Sequence, residues 1–409
     1  MEFAALAWKN LWRNRRRTLI TLAAIAFSIM LMQAAHNLAV GIYASMVDHG
    51  VRAGSGHIAV YLGDYPQSRD ESLSFAPGNL PEEVRRLKGV ARVLPRVYLP
   101  ALAQSSRESR GILLTGVAPE AELAANPFLK HLPPEKMIRT AGGNDAVLGR
   151  RLLDELKIGE GNKLVITLQN RQGDLVSELF RVRGSIRTGV RDLDGSLVMI
   201  GRDMAAAMAG MPGQIHELAV ILEHADDDRT VLPAIGKLLR GKSPHAVAWE
   251  QAMPNLANAI KLDYAGQKFI FIIITLIVTI GAVNTLLMSV MERIREFGVI
   301  VAVGASPARL RLLILTEALI LALAGIAVGT LLGSLITWYL VDYGIDLRRV
   351  IPENVEFGGV VFDPVLRATW DFGWMARISL YLALLTVGAA LYPAHKASRI
   401  APAAAMRQH

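Results

Sequence analysis

The 409-residue chain contains no cysteine. Disulfides and cysteine-based metal sites are therefore excluded, and an extracytoplasmic domain without them is compatible with a bacterial envelope. The nine histidines include no His-Glu-x-x-His and no paired metal spacing, and no Gly-x-Ser-x-Gly elbow occurs. No small-residue cleavage site follows the first apolar run, which is too long for a signal peptide, so an uncleaved anchor is expected. With no catalytic constellation, the chain is not expected to be an enzyme, nor to hold a cofactor or metal.

What the sequence has is hydrophobicity, unevenly distributed. Mean hydropathy is +0.33, 52% of residues are hydrophobic and 20% are charged, too apolar for an ordinary soluble protein and too polar for membrane helix alone. Four apolar segments reach the roughly 20 residues needed to cross about 30 Å of hydrocarbon. They run from Thr18 to about Leu38 (helix-like to Val47), Phe269 to Met291, Leu310 to Leu340, and Phe372 to Tyr392. The fold class predicted is an α-helical membrane protein with four transmembrane helices, one plus three. A large α+β extracytoplasmic domain lies between the first and second. Three parts follow: residues 1–47, 48–265 and 266–409.

Basic residues set the expected orientation. Lys9, Arg13, Arg15, Arg16 and Arg17 precede the first span, Arg293, Arg295, Arg309 and Arg311 flank the second-to-third loop, and Lys396, Arg399 and Arg407 lie in the tail. The third-to-fourth loop instead carries Asp342, Asp346, Glu353, Glu356, Asp363 and Asp371, against Arg348, Arg349 and Arg367. Both termini are thus expected in the cytoplasm, with the large domain outside. A net charge of +8 also raises nucleic acid as a partner, but membrane-flanking basic residues account for it.

In the middle part the periodicity is that of a mixed domain. Strands are predicted at residues 56–62, 163–168, 178–187, 196–200 and 216–222, with helices over about 203–208 and 229–240. Arg171-Gln172-Gly173-Asp174 is a hairpin signal, and Pro77-Gly78 and Gly142-Gly143 are candidate seams. Residues Trp249 to Lys268 are expected to form a helix running unbroken into the second span, bent at Pro254. Gly236 to Ser243 matches a phosphate-binding loop literally. Its glycines close a helix instead of opening one and Pro244 follows at once, so chance explains it better. His216-Glu217 falls in an alternating strand, where histidine is structural by default.

Polar and small residues within the spans form two further groups. Gln33, His36 and Asn37, at the outer end of the first span, are candidates for a substrate path, or simply residues of the headgroup zone. Gly325, Gly329 and Gly333 form a small-residue stripe suited to close helix packing, within the subunit or with a second one.

The strongest constellation links the second and third spans. Glu292, Arg293, Arg295, Glu296, Phe297 and Gly298 lie on a short helix, about 292–304, beginning at the membrane face. Phe297, Ile300 and Val301 form its apolar side, and Gly304 is the expected stop. Ser306 should cap the third helix with Pro307 at its first position. Longer than a turn requires, the segment keeps an apolar face with no core of its own, which a partner would bury.

Here the chain resembles the FtsX-like permease family of ABC transporters, which includes MacB and the lipoprotein-releasing LolC/LolE branch. Three blocks carry the resemblance: Ala7 to Leu19 (AWKNLWRNRRRTL), Asn284 to Gly298 continuing through Gly304-Ala305 to Glu317, and Tyr392 to Pro402 (YPAHKASRIAP). Weaker likeness lies at Gly56-His57-Ile58, Val147-Leu148-Gly149 and Leu156-Lys157-Ile158-Gly159. The resemblance implies a multi-pass permease of the bacterial inner membrane, both termini cytoplasmic and the large domain periplasmic. It implies a cytoplasmic ABC ATPase on a separate chain, holding ATP and Mg, and a second permease subunit. Residues 292–298 would couple to that ATPase, and work would reach the periplasm by mechanotransmission. Lipoprotein or lipid release, with a periplasmic carrier, is the function it favours, the substrate entering between the first and second spans. MacB-like efflux with an adaptor and FtsX-like control of cell-wall hydrolases are the alternatives.

Overall fold

The computed structural model describes residues 2–130, 132–188, 191–303, 305–347, 356–357, 360–361 and 365–398. Two compact units result. One comprises the chain up to Ile42, Asp263–Asp346 and the segment from Val365 onward; the other is built chiefly from Tyr43–Leu262.

The first unit contains helices long and apolar enough to cross a membrane, contributed by Arg15–Ala53, Pro254–Glu292, Pro307–Asp342 and Phe372–Ala389. These are the first to fourth spanning helices below. The first two have 39 residues each. At 1.5 Å per residue that is about 58 Å, nearly twice the hydrocarbon thickness of about 30 Å. The fourth ends at Ala389, and Leu391–Ser398 continues as a separate helix. The opening block is bent instead of forming one helix. Glu2–Leu11 is helical, Trp12–Asn14 is a 3₁₀ turn, and Thr18 Oγ1 donates to the Leu11 carbonyl at 2.6 Å. Trp8 and Trp12 meet edge to face at 5.8 Å and stay exposed, as suits aromatic rings at a membrane interface.

The glycine stripe seats the third helix on the first, within one subunit. A Cβ at Gly325 would stand 2.6 Å from Ile25 Cγ2, one at Gly329 2.5 Å from the Ala26 carbonyl oxygen, and one at Gly333 3.1 Å from Gln33 Oε1. Only residues without side chains let the backbones approach this closely.

The second unit is α+β, with nine strands: β1 (Ile58–Tyr61), β2 (Val90–Gln104), β3 (Ser109–Val117), β4 (Asp145–Gly149), β5 (Lys163–Gln169), β6 (Leu175–Ile186), β7 (Leu197–Gly201), β8 (Glu217–Leu222) and β9 (His245–Ala248). Their order is β3-β7-β4-β6-β5-β2-β8-β1-β9, and β2 also pairs with β3. That extra pairing closes β2, β3, β7, β4, β6 and β5 into a six-stranded ring. The N-terminal half of β2 continues into an antiparallel sheet with β8, β1 and β9. Helices Leu80–Arg85 and Asp228–Leu238 cover one face of that sheet, burying Leu80, Val84, Val231 and Ile235 against Ile58, Val60 and Val93.

The predicted hairpin is present as β5–β6. Gly173 supplies φ +90°, and Asn170 Oδ1 accepts from the Gln172 and Asp174 amides at 2.9 and 2.8 Å. The predicted continuous helix through Pro254 is not. Trp249–Ala252 makes a single turn, Met253 leaves helical geometry at φ −124°, ψ 66°, and Pro254 opens the long helix. Proline lacks the N–H a helix interior needs and is well placed where a helix begins.

Candidate functional site

The connector between the second and third spans is a helix over Ile294–Ala302, separated from the second span by a break at Arg293 (φ −110°, ψ 16°). Arg293 holds that break in place. Its Nη1 donates to Glu317 Oε1 on the third helix at 2.9 Å, its Nε to Glu296 Oε2 at 3.1 Å, and its guanidinium lies 4.9 Å from the Phe297 ring centre. Asn10, from the N-terminal helix, donates to the same Glu317 oxygen at 2.7 Å. Arg13 also pairs with Glu296, and Arg17 with Glu292 at 3.0 Å. Burial pushes the Glu296 carboxyl up, but its hydrogen bonds to Arg13 and Arg293 outweigh this and hold it below the usual range.

Two expectations change here. The apolar face does have a core within the subunit. Phe297 is 1% exposed and packs with Val290, Leu310, Ile314, Ala394 and Ala397, with Val301 beside them. The face left open is instead Glu292, Arg295, Glu296, Val299 (53% exposed), Ala302 and Val303 (84% exposed). Arg293 and Gly298 are buried, which leaves Arg293 as an internal tie. The side chain of Ile300 and the stop at Gly304 lie outside the described residues. Ser306 does cap the third helix, its side chain accepting from the Arg309 amide, with Pro307 at the first position.

Glu317, Asn10, Arg13 and Arg17 are the residues the sequence reading gave no part in the connector. For Glu317 a signal existed: an acid inside an otherwise apolar span needs a partner.

Gln33, His36 and Asn37 are all buried, at 2% exposure or less, and face the interior of the bundle. Gln33 Nε2 donates to Thr330 and Ser379, both at 3.2 Å. His36 Nε2 lies 3.1 Å from Asp371 Oδ2, and its ring stacks on Trp374 at 3.8 Å. Asn37 donates to Thr337 Oγ1 at 3.2 Å and accepts from the Asp371 amide at 3.2 Å. They tie the first span to the third and fourth and line none of the described cavities. In this structure these contacts are internal ties between spans.

In the second unit, Arg96 (1% exposed) grips the end of the first long helix. It donates to the Gly54 and Arg52 carbonyls while pairing with Glu122 at 2.7 Å. A helix C-terminus has unpaired carbonyls and negative polarity, so a buried cation suits it. The histidine of His216-Glu217 is structural: Nδ1 accepts from the Tyr98 amide at 3.1 Å and the ring stacks on Tyr65. The literal phosphate-loop match closes a helix, Gly241 following it at φ +77°. No group of side chains suited to a metal occurs among the described residues.

Comparison with known proteins covers the connector region. Residues 268–402 match the family described as FtsX-like permease C-terminal. The chain is 26% identical over 342 residues to the lipoprotein-releasing system transmembrane protein LolC of Neisseria meningitidis serogroup B, covering 80% of this chain and 81% of that one. It is 22% identical over 355 residues to an uncharacterized ABC transporter permease of Methanocaldococcus jannaschii, covering 82% and 83%. It is 27% identical over 355 residues to the macrolide export ATP-binding/permease protein MacB of Nitrobacter winogradskyi, covering 82% of this chain and 52% of that one.

Proposed function

Proceeding from a chain whose residues 268–402 match the FtsX-like permease C-terminal family, we propose that it works as the membrane subunit of an ABC transporter by mechanotransmission. The observation that carries this reading is the unbroken helix Pro254–Glu292, which ends one residue before the connector. A separate cytoplasmic ATPase, holding ATP and Mg, docks on the open connector face around Arg295, Val299 and Val303. Its closure pushes the connector. Arg293 passes that displacement to Glu317 on the third helix and, through the helix break, to the second. A second permease subunit completes the transporter, with both termini in the cytoplasm and the strand-rich unit in the periplasm. The likeness to LolC-named proteins favours an acylated protein or lipid of the bacterial inner membrane as the substrate, passed to a periplasmic carrier. The likeness to a MacB-named protein favours efflux with an adaptor as the second reading.

The test is co-purification from native membranes. Val299→Asp and Val303→Asp put charge on the open face without touching the buried cluster, so the ATPase should be lost while the melting temperature stays at the wild-type value. Loss of an interface anchor costs about 2 kcal/mol or more, visible in a pull-down. An ATPase retained by both variants rejects the docking face. Mass spectrometry of the wild-type complex decides between the two readings, acylated proteins or lipids supporting release and a bound adaptor supporting efflux.

A further inference from the structure

Between the second and fourth spanning helices lies a groove of about 660 Å³. Tyr264, Lys268, Phe271, Ile272, Thr275 and Leu276 line one wall, and Trp374, Arg377, Ile378, Tyr381 and Leu385 the other. The positions recur every three or four residues on each helix, so each wall is one helix face. From Tyr264 to Leu276 the wall rises about 18 Å at 1.5 Å per residue, close to one leaflet of hydrocarbon, half of about 30 Å.

The groove is polar at one end only. Lys268 and Arg377 sit at the end away from the connector, and everything beyond them is apolar or aromatic apart from Thr275, whose hydroxyl donates to the Phe271 carbonyl. Neither cation has a carboxylate partner among the described residues. Lys268 Nζ lies 4.8 Å from the Tyr264 ring centre, and Arg377 Nε donates to the Gly373 carbonyl of its own helix. The nearby acid, Asp371, is engaged with His36 and the Trp374 amide. Two cations with no salt bridge among the described residues, above an apolar trough and flanked by tyrosine and tryptophan, match an anion carried on a hydrocarbon tail.

We propose that this groove binds one anionic membrane phospholipid, its phosphate on Lys268 and Arg377 and an acyl chain along Phe271, Leu276, Ile378 and Leu385. The site lies in the leaflet opposite the connector. Trp374, on the groove wall, is its natural reporter, since bromine atoms on a lipid chain quench tryptophan on contact.

The full chain is reconstituted into phosphatidylcholine nanodiscs containing either brominated phosphatidylglycerol or brominated phosphatidylcholine. Quenching of Trp374 is taken as the difference between the wild type and Trp374→Phe. Phosphatidylglycerol should quench at roughly one-tenth the mole fraction that phosphatidylcholine needs. Lys268→Gln/Arg377→Gln should lose that preference, and Lys268→Arg/Arg377→Lys should keep it. If the double glutamine variant does not fold, Lys268→Gln alone should still weaken the preference. Equal quenching by the two lipids in the wild type overturns the proposal, as does a preference that survives the glutamine substitutions. Absence of quenching by either lipid overturns it in favour of a protein surface over the groove. Displacement of phosphatidylglycerol by an equimolar diacylglyceryl peptide overturns it in favour of an acylated cargo.

Discussion

Arg293 Nη1 lies 2.9 Å from Glu317 Oε1, and both side chains are almost wholly withdrawn from solvent. The pair joins the break before the connector to the third spanning helix, so any push on the connector must load it. Two charges so placed are costly to separate. Glu317→Ala leaves Arg293 with Glu296 alone and Arg293→Ala leaves Glu317 with Asn10 alone, a loss of up to about 3–5 kcal/mol, the cost of a buried charge left wholly unpaired. Replacing both with methionine removes the charges together and should cost much less. Melting temperatures in mild detergent are the measurement. A Glu317→Ala protein that melts with the wild type would show that the pair is dispensable to the fold.

The approach of the third helix to the first is equally exacting. Gly329→Leu must push a side chain into the Ala26 carbonyl and the Ile29 side chain, where backbone contact leaves no room for relaxation. Overpacking of this kind costs about 1–3 kcal/mol or more. Because the contact is internal, the variant should lose stability as an isolated subunit, before any assembly. Unchanged melting of the isolated subunit would place the stripe outside the structural core.

The spans were legible because about 20 apolar residues in a row have few other uses, and the Ser306-Pro307 start was legible because both signals are local. The burial of Phe297 was not, since its cover comes from Leu310 and Ala394, on two other helices, the second of them distant in sequence. The same holds for Gln33, His36 and Asn37: sequence shows polar groups in a span but not the Thr330, Asp371 and Thr337 that answer them. In the second unit, β2 carries Pro95 and Pro100 and so reads poorly as a strand. Yet it is β2 that both closes the ring and continues into the second sheet, and those pairings are long-range.

His216 gives the strand-rich unit a pH dependence. Burial away from water pulls the imidazole down to about 4 from 6.5, against the Glu71 carbonyl, which favours the proton. The unfolded chain therefore binds the proton more readily than the folded one below pH 6.5. Stability should fall as pH drops from 6.5 towards 4, by up to about 3 kcal/mol for this group. His57, also lowered by burial, acts in the same direction. Thermal unfolding followed from pH 7.5 to 4.5 should show the decline, and His216→Asn should flatten it. A slope identical in the variant would assign the effect elsewhere.

Orientation can be tested at the false phosphate loop, because the chain has no native cysteine. Ser243 is exposed, just past the helix that Gly241 helps to close. The proposed orientation, with the basic segments before the first span and around the connector in the cytoplasm, predicts Ser243 on the opposite side. Ser243→Cys should react with a membrane-impermeant maleimide in cells whose outer membrane alone has been permeabilised. Ala302→Cys, exposed on the connector, should react only after lysis. The two substitutions together guard against a buried or oxidised thiol, since each must label under one condition. The reverse pattern would put the connector outside, where no cytoplasmic ATPase could reach it. Labelling of both before lysis would mean the inner membrane had been breached, and lysis-dependent labelling of both would place Ser243 inside and overturn the topology.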